Sequence, residues 1–197
     1  MKKLIFLIAL SLLCGCEAKP LNTGNNGGTD IVAFGDSLTA GNGVDAAFSY
    51  PAVLQDISGN TVINLGVSGD TARMGAGRKE EIGKYNPFMV LIEFGANDAM
   101  RMRSLDETKT ALEEIVDYTQ KLGAAAVIVD TGGDIRMSPY TEMMQQISEE
   151  KQAVFVPAIM DGIFTDPRLK SDELHPNAEG YKLIAEKIYK TIEPYLD

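Results

Sequence analysis

At 197 residues, with 45% apolar and 23% charged residues, the chain is long enough for one domain with a full core and is ordinary in composition for a globular protein. Its formal charge of -10 is spread along the chain, which argues against nucleic acid as a partner, because phosphate binding needs a basic surface. No stretch is long enough to span a bilayer as a mature helix.

The first residues differ in kind from the rest. Lys2 and Lys3 precede an apolar run from Leu4 to Leu13, a charged n-region followed by an h-region too short for a membrane span. Leu13-Cys14-Gly15-Cys16 then resembles the bacterial lipobox, in which the Cys becomes the lipidated first residue. A plain secretory signal cut near Ala18 is the alternative, but Cys is uncommon at such a site. Residues 1–15 are therefore expected to be a lipoprotein signal peptide, with Cys16 lipidated. Glu17 stands where an Asp commonly retains such proteins at the inner membrane. The expectation is an exported bacterial lipoprotein on the periplasmic side, anchored at the outer membrane. Both cysteines lie here, so the remainder has neither a disulfide framework nor a thiol nucleophile.

Residues 16–29 are rich in Gly, Asn and polar residues, with Pro20, and read as a flexible tether. From Asp30 to residue 197, apolar runs alternate with helical patterns. The runs are Ile31–Phe34, Thr61–Asn64, Met89–Phe94, Ala125–Val129 and Ala153–Val156, continuous as in buried parallel strands. Helices are expected over Tyr50–Ile57, Thr71–Tyr85, Leu105–Leu122, Tyr140–Lys151 and Ala178–Leu196. In the third of these, Leu105, Ala111, Leu112, Ile115, Val116 and Leu122 share one face. Strand–helix alternation predicts a single flavodoxin-like domain, a three-layer α/β/α sandwich around a parallel sheet of about five strands. Ligands of such sheets bind at the carboxyl ends of the strands, so functional residues are expected just after a strand.

Four segments meet that condition or complete it. Gly35-Asp36-Ser37 follows the first run, and Ser37 is a candidate nucleophile, although Asp or Ser in that place is more often a helix cap. His175 is the only histidine. A serine nucleophile needs a base that titrates near neutrality, the property of His, and an acid to hold that base. Asp172, three residues before His175, can face the same side, and Pro176 keeps His175 out of helical conformation. A lone surface His beside acids is the commoner case, but the spacing and the proline favour function. Oxyanion donors are offered by the Gly69 N–H in Ser68-Gly69-Asp70 and by the Asn97 amide in Gly95-Ala96-Asn97-Asp98. Either segment alone is ordinary turn chemistry; the four together, in order, are far more specific.

These blocks identify the chain as resembling the SGNH hydrolases, the GDSL esterases and lipases. Phe34 to Gly41, Ser68-Gly69-Asp70-Thr71 and Asn97-Asp98 followed by Arg101 are similar to the bacterial thioesterase, lysophospholipase and arylesterase branch. The resemblance implies Ser37 as nucleophile, His175 as base, Asp172 as its partner, and an oxyanion hole from the Ser37 N–H, the Gly69 N–H and Asn97. It implies no metal and no organic cofactor. The expected substrate is a small acyl ester or thioester. The alternatives are a carbohydrate O-acetylesterase, or a binding lipoprotein that has lost catalysis. Two departures stand out. Ala96 replaces a second Gly, and Thr131 to Tyr140 lacks the Pro- and Asn-containing substrate loop of that branch. Gly77-Arg78-Lys79 lacks phosphate-loop spacing, Asp161, Asp166 and Asp172 match no calcium loop, and Met100, Met102, Met143 and Met144 read chiefly as packing residues.

Overall fold

The computed structural model describes residues 19–24 and 26–196. The lipobox and Cys16 lie outside the described residues. Five strands form one sheet: β1 (Asp30–Gly35), β2 (Thr61–Asn64), β3 (Pro87–Glu93), β4 (Ala125–Val129) and β5 (Val154–Val156). All are parallel, in the order β2-β1-β3-β4-β5.

Successive strand residues point to opposite faces, so one apolar run serves two cores. Ile31 and Ala33 of β1 join the core covered by α2 (Tyr50–Ser58) and α7 (Ala178–Ile192). Val32 and Phe34 join the core covered by α3 (Ala72–Gly77), α5 (Leu105–Lys121) and α6 (Ser138–Lys151). The result is the expected three-layer α/β/α sandwich. Within α5, Ala111, Leu112, Ile115 and Val116 are fully buried, whereas Leu105 and Leu122 at the ends of the expected helix are exposed.

The helix expected over Thr71–Tyr85 is broken. It runs as α3, capped by the Thr71 hydroxyl, and resumes as a 3₁₀ turn over Lys79–Lys84. The break falls where the Arg78 guanidinium turns inward, as described below. Two short helices lie outside the expected helical spans, α1 (Ser37–Ala40), whose cap at Asp36 the sequence did offer, and α4 (Ala96–Met100). Each begins directly after a strand end.

The chain leaves β1, forms β2 on one flank, and crosses back to form β3 on the other. Strand order therefore reverses between β1 and β3, and their carboxyl ends flank the crevice where ligands of such sheets bind.

The expected tether needs correction from Leu21 onward. The Leu21 N–H donates to Gln152 O at 2.8 Å, and Asn22 Nδ2 donates to Gln120 O and Ala124 O at 3.0 and 3.2 Å. Asn26 Nδ2 reaches Gly123 O and Phe88 O at 2.8 and 3.0 Å. The physical reason is that asparagine amides supply donors to carbonyls left open where helices end and strands begin. The segment is a strap across the amino-end edge of β3, β4 and β5. Asn26→Ala is expected to lower unfolding free energy by about 1 kcal/mol without affecting turnover at the other edge. Urea denaturation read beside steady-state kinetics checks this, and a loss of turnover with unchanged stability would contradict it.

Candidate active site

Ser37 is the first residue of α1, displayed at the carboxyl end of β1. Asp36 caps that helix, its Oδ1 accepting the Leu38 N–H at 3.0 Å. The turn before it is tight. A Cβ on Gly35 would lie 2.1 Å from Thr39 Oγ1 and 2.6 Å from Glu93 O, so only glycine fits.

His175 arrives from the loop before α7. A β-bridge between Lys170 and Pro176 closes this loop, and Ser171 N–H donates to His175 O at 2.9 Å. Asp172 Oδ1 accepts the backbone N–H groups of Leu174 and His175 at 2.7 and 2.8 Å. That leaves Asp172 Oδ2 aimed at His175 Nδ1, 2.8 Å away, while His175 Nε2 lies 3.0 Å from Ser37 Oγ. The hydrogen bond to His175 holds the Asp172 carboxyl down at about 2. Pro176 stands two residues before the final helix. Asn177 caps α7 by accepting the Gly180 N–H at 3.1 Å.

The residues expected to offer oxyanion donors gather around Ser37. Gly69 is left-handed, at φ +85°, in the loop after β2. Its N–H and that of Ser37 have no partner among the described residues. Asn97, in the first turn of α4 after β3, is buried and donates one amide hydrogen to Asp36 Oδ2 at 2.9 Å. An amide carries two such hydrogens, so the second is free for a ligand. Ser37, Gly69, Asn97 and His175 line one cleft of about 230 Å³. Its apolar walls include Leu38, Met100, Met137, Met160, Phe164 and Leu174. Met143 and Met144 pack in the core, whereas Met102 is almost fully exposed.

Four residues that shape this site, Glu93, Asp36, Arg78 and Asp98, carried no functional role of their own in the sequence reading. Glu93 is fully buried at the end of β3; its Oε2 accepts from Thr39 Oγ1 at 3.0 Å and its Oε1 from Thr131 Oγ1 at 3.2 Å. It thereby ties the loops after β1, β3 and β4. A lone acid inside the otherwise apolar run Met89–Phe94 was the available signal. Asp36 lies beside it, with its N–H directed at Glu93 Oε2. Arg78 fills the other flank. Its Nε donates to Asp70 at 2.7 Å, its Nη1 to Leu65 O at 2.9 Å and its Nη2 to Gly35 O at 3.1 Å, and the guanidinium lies 4.3 Å above the Phe34 ring. Arg78 thus binds the Gly69 loop to the turn before Ser37. Asp98 completes the frame, accepting from Ala72 N–H and Thr108 Oγ1.

Residues 33–183 match the model of the GDSL-like Lipase/Acylhydrolase family. The chain is 26% identical over 176 residues to the thioesterase 1/protease 1/lysophospholipase L1 of Escherichia coli (strain K12), covering 85% of each chain. It is 29% identical over 192 residues to the arylesterase of Vibrio mimicus, covering 89% of this chain and 94% of that one. Among solved structures, the psychrotrophic esterase EstA from Pseudoalteromonas sp., inhibited by monoethylphosphonate, superimposes with a TM-score of 0.78 at 28% identity. That likeness covers 85% of this chain and 98% of that one.

Burial pushes the Asp36 carboxyl up to about 6, against the hydrogen bonds that favour its charge. In the unfolded chain the same group ionises near the ordinary ~3.9. Between about pH 4 and 6 the folded protein therefore holds the extra proton, and this group's contribution to stability falls as pH rises through that window. Asp36→Asn is expected to gain on the wild type across that range, by a few kcal/mol at most. Denaturant midpoints measured at stepped pH check it; a constant gap between the two proteins would show that Asp36 is not strained by burial.

Proposed function

The chain belongs to the GDSL-like lipase/acylhydrolase family and hydrolyses ester bonds; on that footing we propose that it is a serine esterase or thioesterase working through Ser37, His175 and Asp172. The observation that carries this reading is the unbroken chain from Ser37 Oγ to His175 Nε2 to Asp172, at 3.0 and 2.8 Å, beside two backbone N–H groups without partners among the described residues.

With Nδ1–H donated to Asp172, His175 Nε2 is free to accept a proton. Ser37 Oγ attacks the carbonyl carbon of the substrate as its proton passes to Nε2. Asp172 compensates the charge of the imidazolium. The carbonyl oxygen becomes an oxyanion, received by the N–H groups of Ser37 and Gly69 and the second amide hydrogen of Asn97. Collapse of this intermediate breaks the bond to the alcohol or thiol, which leaves with the proton from His175. Water then attacks the acyl-Ser37 ester by the same route, releasing the acid and restoring the serine.

The cleft walls favour an acyl chain over a sugar. Leu38, Met100, Met137, Met160, Phe164 and Leu174 offer an apolar surface of limited extent. Each buried methylene contributes about 0.8 kcal/mol while wall remains to cover it, and then nothing. The proposed substrates are short to medium acyl esters or thioesters.

Ser37→Ala and His175→Ala are each expected to lower kcat by roughly 10³-fold or more, with the double variant no worse than the singles, since such residues act as a unit. Asn97→Ala is expected to lower kcat by roughly 10²-fold with little change in KM. Near-normal turnover in His175→Ala would end this reading. Across p-nitrophenyl esters from acetyl to palmitoyl, kcat/KM is expected to climb, level off at intermediate length and fall. A maximum at acetyl, with release of acetate from acetylated sugars, would favour the carbohydrate O-acetylesterase instead.

A further inference from the structure

Acids outnumber bases in this chain by 28 to 18, so an arginine has carboxylates to spare. Four of the arginines use them: Arg73 pairs with Glu114, Arg78 with Asp70, Arg136 with Asp134 and Arg168 with Asp166. Arg101 and Arg103 have no carboxylate partner among the described residues. Both stand on the turn that follows Asn97.

That turn is held firmly. Arg101 N–H donates to Asn97 O, Met102 N–H to Ala99 O and Arg103 N–H to Asp98 O, at 3.0, 3.1 and 2.9 Å. Met102 is forced to φ 51°, in the left-handed region that non-glycine residues rarely adopt. Tyr140 Oη donates to Arg103 O at 3.0 Å and fixes the turn's far end. The Arg101 side chain then crosses toward the loop after β2. Its Nη2 lies 3.4 Å from the position that a Cβ on Gly69 would occupy. An exposed guanidinium without a carboxylate therefore rests against the bare flank of a candidate oxyanion residue.

The two sides of Ser37 are unlike. Toward β4 and β5 lie Met137, Met160 and Phe164, which suit an acyl chain. Toward β2 lie Gly69, the Ser68–Asn42 hydrogen bond at 2.6 Å and the Arg101 guanidinium. A substrate seated with its acyl chain on the apolar side sends its alcohol or thiol portion past Arg101. We infer that Arg101 binds an oxyanion carried by the leaving group, so that the enzyme prefers esters and thioesters of phosphate- or carboxylate-bearing alcohols and thiols. This inference rests on the serine-esterase reading above.

The test uses butyrate esters of four related phenols: 3-hydroxybenzyl alcohol (neutral), 3-hydroxybenzyl phosphate, 3-hydroxybenzoate, and a 3-hydroxybenzyl trimethylammonium (cationic). Comparing each ester between wild type and variant cancels its intrinsic reactivity. Charge-assisted hydrogen bonds are worth enough that Arg101→Gln is expected to lower kcat/KM for the phosphate ester, relative to the neutral one, by roughly tenfold. Arg101→Lys should keep part of that preference, and 0.5 M NaCl should shrink it, because an exposed charge is screened. The phosphate and carboxylate arms distinguish which oxyanion the site favours. An anionic-to-neutral ratio identical in wild type and Arg101→Gln overturns the inference, as does equal loss on all four esters. Ser37→Ala is run beside them: a dead Ser37→Ala with an unmoved ratio sinks the Arg101 site alone, whereas an active one sinks the serine-esterase reading.

Discussion

Two carboxyl groups buried side by side hold the catalytic edge together. Glu93 ends β3 and Asp36 directly follows the neighbouring strand β1, and neither is exposed to water to any useful extent. Burying an isolated carboxylate is costly, and the cost is met by hydrogen bonds or by keeping the proton. Both means are in use. Burial and the neighbouring Asp36 charge hold the Glu93 carboxyl far above the usual carboxylate range, while hydroxyls of Thr39 and Thr131 and the Asp36 N–H satisfy its oxygens. Asp36 divides its oxygens between the first turn of α1 and the Asn97 amide. The loops after β1, β3 and β4 are thereby locked at one height. A pair of alanines in these places would be easier to bury, but nothing would orient the Asn97 amide.

Arg78 does for the other flank what Glu93 does for the centre. One planar guanidinium reaches Asp70 and two carbonyls on different loops while stacking on Phe34. Lysine has neither the fork nor the flat face for this. The arrangement also accounts for the short α3. The chain gives up helical continuity at Gly77-Arg78 so that the side chain can turn beneath the Gly69 loop. Backbone regularity is exchanged for placement of a single N–H.

How much of this was legible from the residues follows from the range of each interaction. The strands could be read because a parallel sheet buried on both faces demands continuous apolar runs, and Ile31–Phe34 or Ala125–Val129 can hardly be anything else. The meeting of Ser37, Asp172 and His175 was legible because Asp172 and His175 are local to each other and the fold brings strand ends together. The break at Arg78 was not, since its cause lies in Asp70, Leu65 and Gly35, none of which marks the helix pattern itself. Glu93 looked like a polar strand end because its partners Thr39 and Thr131 are 54 and 38 residues away. The Gly- and Asn-rich segment misled for the same reason. Composition speaks of local freedom, whereas Asn22 and Asn26 find their acceptors up to 102 residues on.

That segment gives the molecule a direction. Its bonds fall on carbonyls at the amino ends of the strands, while the cleft opens at their carboxyl ends. Strap and cleft thus stand on opposite edges of the sheet, so the bonds that tie the segment down share no residue with the lining around Ser37.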